Sequence, residues 1–212
     1  MSPDGNFVAY SNYSGPTRVM RVADGREQLS LPSGTGAVWI SPDGSKMFVS
    51  ESGNGVMRSF PDGTELWRTT ILWTAAFSPN GGLLAVLRVD GWLRQYHALF
   101  DSSDGSVVHA LGSASGDFSV DDMVFTPDGK YLLAAARAAG WNYDTAFRVW
   151  HVDTGELNQE LGGWNMQTVA VHPRGNIMVV ADNTWWYIKA IRDLGDTLEF
   201  TNILSKQGHT WV

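Results

Sequence analysis

One four-residue phrase recurs five times along this chain, as Ser2-Pro3-Asp4-Gly5, Ser41-Pro42-Asp43-Gly44, Ser78-Pro79-Asn80-Gly81, Thr126-Pro127-Asp128-Gly129 and His172-Pro173-Arg174-Gly175. The prolines stand 39, 37, 48 and 46 residues apart. That interval suits a unit of four short strands and is too irregular for a strict helical repeat. Proline presets φ for the first corner of a turn, Asp or Asn bonds the local backbone, and Gly tolerates positive φ. Each phrase therefore reads as a tight turn, and the flanking residues decide what it joins.

Before the turns, apolar side chains alternate at Val38/Ile40, Ala75/Phe77, Met123/Phe125 and Val169/Val171, the period of two expected of a strand. After them come short apolar runs: 7–10, 47–49, 83–87, 132–134 and 177–180. Runs of this kind fit strands buried on both faces, as when one sheet is packed between two others. Third strands are expected at 18–22, 56–60, 92–96, 147–152 and 186–191, and fourth strands at 27–31, 65–70, 106–111, 156–161 and 197–204. Asp-Gly or Gly-Asp turns fall between most of these pairs. Four strands per repeat, with no convincing helix, predict an all-β fold: a five-bladed β-propeller of four-stranded antiparallel blades occupying residues 1–212 as one domain.

At this point a family resemblance becomes visible. Phe147-Arg148-Val149-Trp150-His151-Val152-Asp153-Thr154-Gly155-Glu156-Leu157 is similar to the third and fourth strands of a WD repeat, and Gly208-His209-Thr210-Trp211-Val212 resembles the Gly-His opening of one. The Ser-Pro-Asp-Gly turn also resembles that of TolB-type propeller repeats. WD repeats often carry a hydrogen-bonded His, Ser/Thr, Asp and Trp set; Trp150 and Asp144 match two of its positions, and no blade shows all four. The resemblance implies a non-catalytic scaffold that binds a protein or peptide.

The first repeat lacks nearly all of its innermost strand, and Gly208 to Val212 reads as the start of such a strand. Two expectations follow: a ring closed by the termini sharing one blade, or a portion of a larger propeller.

Composition narrows the partner. Hydrophobic residues at 43% and charged residues at 17% describe a chain that folds. A formal charge of -7 provides no basic stripe for phosphate backbones, so nucleic acid is not an expected partner. The apolar runs are far shorter than the roughly 20 residues of a membrane helix, so neither is a membrane. With no cysteine there is no disulfide and no cysteine-bound zinc. His97, His109, His151, His172 and His209 are scattered, and Asp101-Ser102-Ser103-Asp104-Gly105 misses calcium-loop spacing, so neither metal nor cofactor is expected. Propeller glycosidases need opposed carboxylates from different blades; here the innermost strands offer only Asp121 and Asp122, both from one blade, and no enzyme is expected.

If the Ser-Pro-Asp-Gly turns share one face, the second-to-third and fourth-to-first connections share the other. Two long loops, Gly112 to Asp122 and Arg137 to Asp144, belong there, and a further insertion is read at His97 to Asp104. The expected partner site is Phe118, Trp141, Tyr143 and Trp164 with Asp121, Asp122 and Asp144: an aromatic centre with an acidic edge, suited to a basic protein or peptide. The alternative from another class is a lectin-like propeller stacking aromatics on sugars, but loop residues differ between blades where a lectin would repeat them.

Overall fold

The repeated turn closes as a small hydrogen-bonded knot. At Ser41 the hydroxyl donates to Asp43 Oδ1 at 2.6 Å and accepts from the Lys46 amide at 2.9 Å. The Gly44 amide donates to Ser41 O, and the Ser41 amide to Lys46 O. The same four-bond pattern stands at Ser2, Ser78 and Thr126, with Asn80 replacing the acid at the third repeat. In the fifth, His172 Nδ1 accepts from the Arg174 amide instead. The buried hydroxyl thus joins the carboxylate to the next strand's first amide, and the glycine follows with φ near +70°.

The computed structural model describes residues 1–2, 4–10, 16–70, 74–89, 95–111, 118–138, 146–162, 166–181 and 185–207. Among them there is no helix, hence none long and apolar enough to cross a membrane. The strands form five antiparallel sheets, consecutive in sequence. The first has three strands: β1 (Phe7–Tyr10), β2 (Pro16–Arg21) and β3 (Glu27–Ser33). The second holds β4 (Thr35–Ile40), β5 (Lys46–Glu51), β6 (Asn54–Ser59) and β7 (Glu65–Thr70); the third, β8 (Ala75–Phe77), β9 (Leu83–Val89), β10 (Gln95–Asp101) and β11 (Val107–Leu111). The fourth holds β12 (Phe118–Phe125), β13 (Tyr131–Ala138), β14 (Ala146–His151) and β15 (Leu157–Gly162); the fifth, β16 (Thr168–Val171), β17 (Ile177–Ala181), β18 (Trp185–Asp193) and β19 (Leu198–Gln207). Gly208 to Val212, on which terminal closure rests, lie outside the described residues.

Each sheet is built alike. The residue after the third strand donates its amide to a carbonyl in the Ser-Pro-Asp-Gly turn: Val22 to Asn6, Phe60 to Ser45, Ser102 to Gly82 and Val152 to Lys130, with Ile191 to Asn176 in the fifth sheet. This bond puts both turns of a sheet at one end and its remaining connections at the other.

One expectation is corrected. The third strand of the third sheet continues past residue 96 to Asp101, and residues 97–104 are no insertion but the end of that strand and its turn; residues 92–94 of the expected strand lie outside the described residues. Gly105 sets the register, its amide donating to Asp101 O while the Asp101 amide donates to Ser106 O. Counting back from that glycine, as Gly155 counts back to His151, would have located the strand.

The chain divides into two compact units, 1–94 with 98–108, and 95–97 with 109–212. In the first, Phe7 and Ala9 pack on a core of Val19, Leu31, Met47, Val49 and Phe60. A ladder of rings runs through it, Trp39 to Phe48 to Trp67 to Phe100, with the last pair stacked at 14°. In the second, Tyr131, Leu133, Val149, Met178 and Val180 belong to one core with Tyr187 and Ile191. The second strands of the second, third and fourth sheets are sealed, as expected: Met47 to Val49, Leu84 to Leu87 and Leu132 to Ala135 are all without exposed surface.

Candidate functional site

The register of the fourth sheet decides where the expected site sits. Phe118 pairs with Ala138 and Ala146 with Gly162, so β12 begins, β13 ends, β14 begins and β15 ends at one end of this sheet. Residues 112–117, 139–145 and 163–165 attach at those four points. Trp141, Tyr143, Asp144 and Trp164 belong to these segments and lie outside the described residues. Phe118 is the first residue of β12.

The expected loop Gly112 to Asp122 is shorter than the sequence suggested, because 118–125 is a strand. Two adjacent acids break the apolar alternation, and a bulge absorbs them. Val120 pairs with Ala136 and Asp122 with Ala135, leaving Asp121 as the extra residue. Both acids are half-buried, and Asp121 Oδ2 is shielded from solvent. The Asp122 carboxylate accepts from Thr168 Oγ1 at 2.7 Å, the Val169 amide at 3.0 Å and the Met123 amide at 3.0 Å. It thereby ties β12 to β16, the innermost strand of the next sheet.

The turn end of the same unit holds a cleft of about 270 Å³ lined by Thr126, Tyr131, Arg174, Asp193 and Leu198 among others. Its polar groups serve the fold. Tyr131 Oη donates to Gly195 O at 2.9 Å, and Lys130 Nζ pairs with Asp193 Oδ2 at 3.1 Å. The Gly195 amide and then Lys130 hold the Asp193 carboxyl below its usual range, while burial raises the Tyr131 hydroxyl. The Thr126 hydroxyl is likewise engaged, donating to Asp128 Oδ1 and accepting from the Tyr131 amide.

A cluster that sequence reasoning passed over gathers around His97 and Trp150. His97 is 5% exposed, and its ring centroid stands 5.5 Å from that of Trp150, a fully buried ring. Arg148, also buried, bonds Glu160 Oε2 through Nε at 2.9 Å. Burial first, and the Arg148 charge second, lower the His97 pKa to about 4. The available signal was position: His97 stands two residues before buried Leu99 on a strand and so shares its side.

Of the other tryptophans, Trp67 Nε1 donates to Ser102 O at 3.1 Å while its ring packs, and Trp185 rests half-buried on the second unit's core. Both are packing residues. Trp73 and Trp211 lie outside the described residues.

The five repeated sheets define a WD-repeat-like β-propeller. The chain aligns over 98% of its length with 71% of the crystal structure of the Myceliophteria thermophila Cps50 (Swd1) beta-propeller domain, at a TM-score of 0.75 and 15% identity. Hydrazine synthase from Kuenenia stuttgartiensis aligns over 96% of this chain and 64% of that one, at a TM-score of 0.71 and 17% identity. In sequence, 117 residues, 51% of the chain, are 31% identical to apoptotic protease-activating factor 1 from Homo sapiens, and the Rattus norvegicus protein matches at 31% over 118 residues. The alignment covers 8% of the length of either protein. No family model matches the chain.

Proposed function

We propose that the chain is a non-catalytic interaction module that takes a basic protein or peptide at the loop end of the fourth sheet. The observation that carries this reading is the register Phe118 to Ala138 and Ala146 to Gly162. It gathers at one end of one sheet the attachment points of every segment bearing Trp141, Tyr143, Asp144 and Trp164. Loops held by a rigid sheet are where binding usually resides, and aromatic anchors dominate binding energy. The acidic edge falls chiefly to Asp144, since Asp122 is engaged in joining strands. The test compares wild type with the Trp141→Ala/Tyr143→Ala chain in pull-downs from the native source, followed by affinity measurement on the recovered partner. A loss of about 2 kcal/mol, roughly thirtyfold, is expected with the fold intact. Equal affinity of two folded chains moves the site elsewhere.

A second reading, that these sheets are part of a larger propeller, is favoured by the surfaces of the first and last sheets. Val8 and Tyr10 on β1 are 39% and 48% exposed, and Val179 on β17 is 39% exposed, whereas the second strands of the three sheets between are sealed. Each of these two sheets carries an apolar face without the cover its counterparts have. Further four-stranded sheets would supply it. The mass of the native polypeptide detected with an antibody to this sequence decides: a chain well above 23.3 kDa supports this reading, and a monomer of that mass rejects it.

A further inference from the structure

His97 and Trp150 form a buried pair of rings in which one of the two imidazole nitrogens, Nε2, and the indole Nε1 are shielded from solvent and have no hydrogen-bond partner among the described residues. A neutral imidazole tolerates such a place as a small flat ring. An imidazolium does not, because a buried charge needs a partner or water. The strands around His97 carry Arg88 on β9, His109 on β11, Arg148 and His151 on β14, and Glu160 on β15. Arg148 is the one whose charge acts on the ring, and it is a cation. It stands two residues before Trp150 on β14 and so on the same side of that strand. Glu160 is already bonded to Arg148, and His151 is within 2.8 Å of Asn158 Nδ2.

We propose that His97 is an acid-sensitive latch: neutral, it seals β10 against Trp150 on β14, and protonated, it is driven out of that contact by burial and by Arg148. The ring leaves as a cation into water, and Trp150 loses the cover on that side. His97 stands near the start of β10, whereas Phe100, further along, stacks on Trp67. The contact is therefore suited to local opening.

The lowered pKa of His97 agrees with this geometry. Unfolded, the ring binds its proton near pH 6.5; folded, near 4. The latch is then fully closed above pH 6.5, weakens as pH falls between these values, and releases near pH 4.

The test follows the His97 ring and the Trp150 indole proton by NMR in the whole chain from pH 7.5 to 3.5, with both signals assigned by the His97→Phe and Trp150→Phe substitutions. The expected result is a His97 midpoint near 4 together with a shift of the Trp150 signal at the same midpoint. In Arg148→Gln the His97 midpoint should rise. A midpoint at or above 6.5, or a Trp150 signal indifferent to the titration of His97, overturns the proposal. If the variants do not fold, assignment by through-space contacts between the two rings lets the wild-type titration decide alone.

Discussion

Gly105 and Gly44 provide a controlled comparison of two effects that glycine usually confounds. Both sit in tight turns with φ near +70°, so a Cβ at either position adopts a left-handed conformation that costs roughly 1 kcal/mol. At Gly44 the Cβ would meet nothing within 4 Å; at Gly105 it would meet Trp67 Cδ2 at 2.6 Å and Cε3 at 2.8 Å. Trp67 cannot simply step aside, because its ring stacks on Phe100 and its Nε1 donates to Ser102 O. Overpacking of this kind costs about 1–3 kcal/mol. Gly44→Ala should therefore destabilise by about 1 kcal/mol and Gly105→Ala by about 2–4 kcal/mol. Urea midpoints for the two variants and wild type, monitored by tryptophan emission, measure the difference. Equal losses at the two positions would mean that Trp67 does not pack over the turn as described.

Three further outcomes are expected. Ser41→Ala removes a donor to Asp43 and an acceptor for the Lys46 amide, which should cost about 2 kcal/mol in urea unfolding. In wild type the Asp43 carboxyl is held near 2, first by the Ser41 hydroxyl and then by that of Ser45; its stabilising share is complete above pH 3.8 and fades as pH falls toward 2. The Asp43 midpoint, read by carbon NMR, should move up in Ser41→Ala. Asp122→Ala strips the Val169 amide of its carboxylate acceptor and should cost about 1–3 kcal/mol, with faster hydrogen exchange at Val169 than in wild type.

Most of the fold was legible because the repeat unit announces itself through residues whose conformational demands are strong. Proline and glycine marked every first turn, and the alternation before each turn gave strands whose partners the structure confirms. What the sequence hid was the role of the first residue of the phrase. Ser41, Ser78 and Thr126 look like ordinary polar turn residues, yet each hydroxyl is buried and bridges its turn to the next strand. The far end of the third strand of the third sheet has a similar cause. Aromatic and aliphatic residues at 92–96 carry strand propensity, but the hydrogen bonds of the glycine turn fix where the strand ends, at Asp101.

The candidate site was legible in part, and the missing part has a physical reason. Loop chemistry can be read from composition, whereas the attachment of loops to one another depends on pairing register, which the alternation of β12 alone could not supply. Asp121 and Asp122 illustrate the limit. As a pair of neighbouring acids they look like a solvated rim, since a regular strand would send one of them into the core. The bulge at Asp121 removes that conflict by adding a residue to one strand without shifting the other. It also aims the Asp122 carboxylate at Thr168 and the Val169 amide, so a residue that reads as a ligand for a basic partner joins two sheets. His97 shows the converse. Scattered histidines carry no metal signal, and only the packing of the His97 ring on Trp150 places one of them beside a buried arginine, where its neutrality becomes a condition of the contact.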